Sequence, residues 1–318
     1  MSLLNSDFKR IYDYLNDIDF KYRSKLNVLE DTPFGLELQF NTYRGIDLKH
    51  YIKQYNKKHT FDKKIINYND DEIIHQKTND NICFDVKLPV LKNNEGDFNL
   101  LKEICDSLDL INNHNMSKKG MHLHTNLSIL EENNDDLILF LKIITLYEHV
   151  LFRFSYGNDL NSNIDLDNYS REISRKIYDY IKNEECSEDF YSNIANLRKI
   201  LNCKSYALNF HESDNNVKKD TIEFRNFNST TDSVIVQNNI NLVFNLFNSV
   251  KNNELDRDYI DYKLGDYEYS LYDKNNYDGL FLEDAIEFSD LIFSTSTDKE
   301  YFLRQYLVKE PKQKKLVI

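Results

Sequence analysis

Three short segments, far apart in the chain, each carry two polar residues at positions i and i+2: FGLELQF (34–40), GMHLHTN (120–126) and IEFRNF (222–227). Successive side chains of a β-strand point to opposite faces. Each segment is therefore predicted to form a strand with one polar face and one apolar face. The apolar faces, which we expect to pack into a core, are formed by Leu36 and Leu38, Met121 and Leu123, and Ile222 and Phe224.

The polar faces of these predicted strands carry groups that bind metals and phosphates. If the strands lie in one sheet, six side chains converge on one patch: Glu37, Gln39, His122, His124, Glu223 and Arg225. Carboxylate and imidazole groups coordinate divalent ions, and the planar guanidinium of arginine suits phosphate. The pattern therefore predicts a site in which a divalent metal holds phosphate groups.

The charge of the chain argues against several classes of partner. Its 53 acidic residues exceed its 40 lysines and arginines, so the formal net charge is −13. Nucleic acid and anionic membranes are not expected partners, because a polyanion would be repelled. The most apolar stretch, 137–154, contains Lys142, Glu148, His149 and Arg153, which a membrane span rarely tolerates. We expect a cytoplasmic protein, and the sequence leaves its oligomeric state open.

Two common kinds of site are not expected. The chain has only seven glycines, and no two of them form a GxGxxG or GxxxxGK[ST] motif, so Rossmann and P-loop nucleotide binding are not expected. Its four cysteines are widely spaced without a CxxC pair, which argues against a zinc ribbon or a disulfide framework.

The rest of the chain predicts helices between the strands. Residues 82–91 and 206–213 are predicted as further strands, the latter antiparallel to 222–227. Asp97, Asn134 or Asp135, and Asp232 are predicted as the N-caps of three helices. The predicted helices cover 6–20, 96–111, 135–154, 169–183, 188–201, 232–250 and, as a pair, 283–308. The predicted strands are separated by helices at irregular intervals along the chain, and they alternate polar and apolar residues. This pattern indicates an α+β fold with a largely antiparallel sheet.

Each polar pair also has an interpretation that involves no site. A His-x-His pair on a strand is often two surface histidines, and Glu223 with Arg225 could form an exposed ion pair worth under about 1 kcal/mol. The donor types also leave the metal open. Imidazole favours Zn, Fe or Cu, whereas carboxylates favour Mg²⁺ or Mn²⁺.

Taken together and in this order, the motifs resemble the amidoligase family of the glutamine synthetase-like carboxylate–amine ligases. The family's first strand has the form GxExEF and its middle strand GxHxH, similar to residues 35–40 and 120–124 here. Its late strand has ExR before a short Asn/Thr turn, similar to residues 223–230. A weaker similarity is an acidic residue four positions before a proline, Asp85 before Pro89.

The resemblance implies a curved sheet of glutamine synthetase-like type, with helices packed on its outer face. It also implies an ATP-dependent ligase that joins a small-molecule or peptide carboxylate to an amine through an acyl phosphate. Glu37, Gln39, His122, Glu223 and Asp85 would form the metal set for Mg²⁺ or Mn²⁺. His124 and Arg225 would act in catalysis and bind the nucleotide, and Asn228 would be a further nucleotide-binding residue.

The resemblance covers residues 33–308, which we interpret as the amidoligase-like catalytic domain. Residues 1–32 would be an N-terminal helical extension and residues 309–318 a basic tail.

One position departs from the family pattern. Gln39 stands where the family has a second glutamate, so a metal-binding charge is lost. Two alternatives to an active ligase therefore stay open. The first is a catalytically silent relative that binds a nucleotide or peptide. The second is an HxH metal-dependent hydrolase or oxygenase, which would need Zn or Fe and no ATP.

Overall fold

The structure is a computed structural model with one antiparallel sheet and, in the part of the chain that it describes, ten helices. The described residues are 2–42, 45–67, 82–112, 120–156, 170–183, 186–211, 220–252, 255–267 and 281–307. The predicted basic tail, 309–318, lies outside them. No helix within these ranges is both long and apolar enough to cross a membrane.

The sheet has seven strands, which run in the spatial order β2-β3-β1-β5-β7-β6, with β4 paired to one end of β1. The strands are β1 (Pro33–Thr42), β2 (Ile66–Asn67), β3 (Ile82–Lys87), β4 (Leu91–Lys92), β5 (Gly120–Asn126), β6 (Leu208–His211) and β7 (Thr221–Asn228). All the pairs between these strands are antiparallel, which confirms the predicted fold class. The three motif strands, β1, β5 and β7, are direct neighbours.

The helices follow the predicted order, with two additions. They are α1 (Ser2–Asp17), α2 (Gly45–Lys58), α3 (Glu95–Asn112), α4 (Asn134–Tyr156), α5 (Ser174–Lys182), α6 (Phe190–Ile200), α7 (Ser233–Lys251), α8 (Arg257–Gly265), α9 (Leu282–Ile292) and α10 (Ser296–Leu307). Helices α2 and α8 were not predicted. The α2 signal was present, because Leu48, Ile52 and Tyr55 recur at helical spacing and are all buried.

The apolar face of the sheet packs against the helices, as predicted. The six apolar residues of the motif strands are each no more than 2% exposed: Leu36, Leu38, Met121, Leu123, Ile222 and Phe224. Phe34 of β1 contacts Phe98 of α3, and Phe224 of β7 contacts Phe140 of α4, with ring centroids 5.8 and 6.1 Å apart. Burying one such side chain contributes about 1.5–3 kcal/mol. This packing leaves the other face of the strands to the polar residues.

Two of the predicted helix caps are wrong. In α3 the Asp97 N–H donates to Asn94 Oδ1 at 3.0 Å, and in α4 the Asp135 N–H donates to Asn133 Oδ1 at 3.0 Å. Asp97 and the Asn134–Asp135 pair thus lie inside the first turns. An asparagine just outside the helix supplies the acceptor, as capping requires.

The third predicted cap is correct. The Asp232 carboxylate accepts from the backbone N–H groups of Val234 and Ile235 at 2.9 and 3.3 Å, at the start of α7. This helix packs against the apolar face of the sheet, because Phe244 contacts Phe34 of β1 and Phe247 contacts Phe224 of β7.

Candidate metal centre

Strand register places the polar residues of the motif strands in one row across the sheet. Glu37 of β1 lies opposite His122 of β5, and His124 of β5 lies opposite Glu223 of β7. The row continues at both ends, because Glu37 also lies opposite Lys87 of β3, and Glu223 lies opposite Asn209 of β6.

Four side chains in the middle of this row form a compact donor cluster. The ligand atoms of Glu37, His122, His124 and Glu223 all lie within 4.8 Å of one another. His122 Nδ1 is 3.3 Å from Glu37 Oε2 and 3.3 Å from Glu223 Oε1. His124 Nε2 is 3.6 Å from Glu37 Oε1 and 3.7 Å from Glu223 Oε1. The structure therefore brings together residues from three segments that are far apart in the chain.

This donor cluster fits a divalent ion. Ligands bound at about 2.1 Å around one ion are separated by roughly 3.0–4.2 Å, which matches the spacings found here. In addition, His124 Nε2 is buried, and no hydrogen-bond partner for it lies within the described ranges. Two carboxylates and two imidazoles suit Mn²⁺ and Zn²⁺ as well as Mg²⁺.

Both carboxylates of the donor cluster are ionised at neutral pH. Burial by itself would raise the pKa of Glu37, but the hydrogen bond with His122 and the close contact with His124 outweigh it and hold that pKa far below 4.5. Burial opposes ionisation of Glu223 too. The contact with His211 and the charge of Arg225 nevertheless lower the pKa of Glu223 to about 2.

Glu223 is held at both of its oxygens. Arg225 Nη1 donates to Oε1 at 2.9 Å, whereas His211 Nε2 lies 2.6 Å from Oε2 and Asn209 Nδ2 lies 3.3 Å from the same atom. Groups around a metal-binding carboxylate orient it and tune its affinity for the ion. We therefore expect these contacts to keep Oε1 aimed at the donor cluster.

Sequence reasoning missed His211 and Asn209 as parts of the site, although their signal was present. They stand two positions apart on β6, and the alternating residues Leu208 and Phe210 are buried. This is the same pattern that identified the other three strands.

Arg225 is largely buried beside the fully buried Glu223, so the pair is not the exposed ion pair considered above. The side chains of Arg225 and Glu223 are 14% and 4% exposed, and Arg225 Nη1 also lies 3.3 Å from His122 Nδ1. The Arg225 Nε is buried, and the described residues provide it with no hydrogen-bond partner. A fixed guanidinium at the edge of the donor cluster is suited to an anion.

Gln39 and Asp85 lie beside the donor cluster and face each other. They are opposite in the β1–β3 register, and Gln39 Nε2 donates to Asp85 Oδ2 at 3.3 Å. Burial and the neighbouring charge of Glu37 raise the pKa of Asp85. Their assignment as metal ligands stays a prediction, as do the individual roles of the other predicted site residues.

Asn228 reaches the polar face because of an irregularity in β7. The β5–β7 register shifts between Met121 and Leu123, which leaves one extra residue on β7. Phe227, buried at 1% exposure, consequently shares the core face with Phe224, and Asn228 lies opposite Gly120 on the other face. Strict alternation along β7 would have placed Asn228 in the core.

The comparisons agree with this arrangement. A family model described as "Putative amidoligase enzyme" matches residues 34–247, about two-thirds of the 318 residues. No curated protein and no solved structure matches the chain. The family match begins at β1, ends within α7 and contains all four residues of the donor cluster. This chain is therefore a member of the amidoligase enzyme family.

Proposed function

We propose that this protein is an ATP-dependent carboxylate–amine ligase that forms an amide or isopeptide bond through an acyl phosphate. The observation that supports it is the donor cluster itself: two ionised carboxylates and two imidazoles beside the largely buried guanidinium of Arg225. Phosphoryl transfer depends on such an arrangement, because catalysis consists mainly of positioning and charge stabilisation.

In the proposed reaction, a substrate carboxylate oxygen attacks the γ-phosphorus of ATP, and ADP leaves. The amine then attacks the acyl carbon, phosphate leaves, and the amine proton passes to solvent or a nearby base. Mg²⁺ or Mn²⁺, held by Glu37, His122 and Glu223, would neutralise phosphate charge. His124 would contact the nucleotide phosphates, and Arg225 would stabilise the phosphoryl group in transfer.

The test is ADP and phosphate release by the purified chain with Mg²⁺-ATP and a panel of small-molecule and peptide carboxylates and amines. ADP release that requires both a carboxylate and an amine supports the proposal. Stoichiometric zinc that survives mild chelation, together with no ATP turnover under any pairing, favours the hydrolase or oxygenase alternative instead.

Arg225→Lys should lower ligase turnover by at least about tenfold, which corresponds to 1.4 kcal/mol of transition-state stabilisation. Lysine keeps the positive charge but loses the planar fork that suits a phosphoryl group. Steady-state ADP release measures the change. Arg257→Lys is the matched control, because Arg257 also pairs with a carboxylate, Asp136, at 3.1 Å but lies outside the donor cluster. Equal turnover in the Arg225 variant would remove Arg225 from the mechanism.

A second function, a silent relative that only binds nucleotide, is favoured by Gln39. If the missing charge weakens the site, Gln39→Glu should tighten Mg²⁺-ATP binding and raise ATP turnover, since a divalent ion gains attraction to the new carboxylate. Calorimetry and ADP release measure both effects. Nucleotide binding without turnover in both chains would support the binding function and rule out the ligase.

A further inference from the structure

Lys87 is part of the row of polar residues, but the proposed reaction gives it no role. It is the last residue of β3 and lies opposite Glu37 in the β1–β3 register. Its Nζ is 3.1 Å from Glu37 Oε1, and the two side chains are 35% and 16% exposed. Lys87 therefore contacts the donor cluster from the side opposite Arg225.

The donor cluster is thus flanked by two cations. Lys87 of β3 contacts Glu37, and Arg225 of β7 contacts Glu223 at 2.9 Å. Strands β1 and β5, which carry Glu37 and both histidines, lie between them. The two positive charges balance the two carboxylates before any metal is bound.

The β3 side of the donor cluster offers a second divalent ion one carboxylate, that of Asp85, whose Oδ1 is buried and has no hydrogen-bond partner among the described residues. Gln39 is neutral, and its amide N–H is donated to Asp85 at 3.3 Å. A second ion that used both Glu37 and Asp85 would lie close to the ammonium of Lys87, which contacts Glu37. Two positive charges that are close together and partly buried repel strongly.

We infer that this site takes one divalent ion per chain, and that Lys87 supplies from the β3 side the positive charge that a second ion would otherwise supply to an anionic substrate. This inference rests on the proposed function, because it assigns Lys87 to the phosphate of the same reaction. Lysine is suited to the role, since its ammonium is a compact charge on a flexible stem. It can leave Glu37 and turn toward a phosphate oxygen.

The test is Lys87→Met, which removes the charge and keeps the apolar stem. Electron paramagnetic resonance of free Mn²⁺ gives the number of bound ions and their affinity, without nucleotide. Calorimetry with a non-hydrolysable ATP analogue and Mn²⁺ gives the nucleotide affinity. We expect one Mn²⁺ per native chain. The variant should bind Mn²⁺ alone about fivefold more tightly, and the analogue at least about tenfold more weakly.

These opposite signs separate a charge effect from a structural one, because a damaged site would lose affinity for both ligands. Lys92→Met on β4 is the matched control, since Lys92 is exposed on the neighbouring short strand, and both affinities should stay native. Should Lys87→Met fail to fold, Lys87→Glu with Gln39→Glu should raise the count from one Mn²⁺ to two.

Two Mn²⁺ per native chain, or analogue affinity unchanged in Lys87→Met, would overturn the inference while leaving the proposed ligase intact. A native chain that binds Mn²⁺ but no nucleotide would overturn the inference together with the proposed function. The inference and the proposed function are both supported if the native chain binds one Mn²⁺ and Lys87→Met binds Mn²⁺ more tightly and the ATP analogue more weakly.

Discussion

Glu223→Gln is expected to lower ATP-dependent ligation by at least about a hundredfold. Glu223 Oε1 is the atom that approaches both histidines of the donor cluster, at 3.3 and 3.7 Å. Replacing the carboxylate by an amide removes one of the two negative charges that would hold the ion. It also leaves the largely buried guanidinium of Arg225 without its anionic partner, which is costly in itself. ADP release with saturating Mg²⁺-ATP measures the loss.

Because Glu223 is buried, loss of activity has to be separated from loss of fold. The control is Glu103→Gln, because Glu103 is an exposed glutamate on α3. This substitution should leave the activity and the unfolding midpoint unchanged. Glu223→Asp keeps the negative charge on a side chain that is one methylene shorter. Its affinity for Mn²⁺ should therefore lie between those of the native chain and Glu223→Gln. Native turnover in a folded Glu223→Gln chain would contradict the proposed role.

The second large effect concerns stability and pH, and its origin is Glu148 of α4. This carboxyl is 2% exposed and accepts from the backbone N–H groups of Ile173 and Ser174 at 2.7 and 2.9 Å, where α5 begins. Burial raises its pKa from 4.5 to about 7, despite the hydrogen bonds, which act in the opposite direction. The native chain therefore binds this proton more tightly than the unfolded chain does.

The sign of the pH dependence follows from this difference. The contribution of Glu148 to the free energy of unfolding is complete below pH 4.5 and is lost as the pH rises through about 7. The total loss is about 3 kcal/mol. Glu148→Gln cannot ionise, so relative to the native chain it should gain about that amount between pH 4.5 and pH 8.

Urea unfolding of both chains at pH 4.5, 6 and 8 measures this gain, and other titrating groups cancel in the comparison. For the control Glu103→Gln, the difference in free energy of unfolding from the native chain should be the same at all three pH values. If Glu148→Gln also differed from the native chain by the same free energy of unfolding at all three pH values, the native Glu148 carboxyl would have an ordinary pKa.

Much of the site was predictable from local pattern alone. Glu37, His122, His124 and Glu223 share one face because alternation is a property of each strand, whatever its neighbours are. The apolar partners of these residues then decide which face is buried. The same reasoning applied to Asn209 and His211 would have added β6 to the site.

Other features depended on contacts between distant segments. Asn228 reaches the polar face only through the extra residue in β7, which is defined by pairing with β5. The capping asparagines, Asn94 and Asn133, were missed because the sequence offers several polar residues near each helix start. Only the path of the backbone selects one of them.

By itself, the sequence determined the α+β class, the antiparallel strands and the donor types of the site, because these follow from alternation and side-chain chemistry. Only the tertiary structure decided which residue flanks the donors on the β1 side. The strand order β3-β1-β5 and the β1–β3 register set Lys87 beside Glu37, which is 50 residues away in the chain. Such neighbours are chosen by long-range register and packing, which no local pattern encodes.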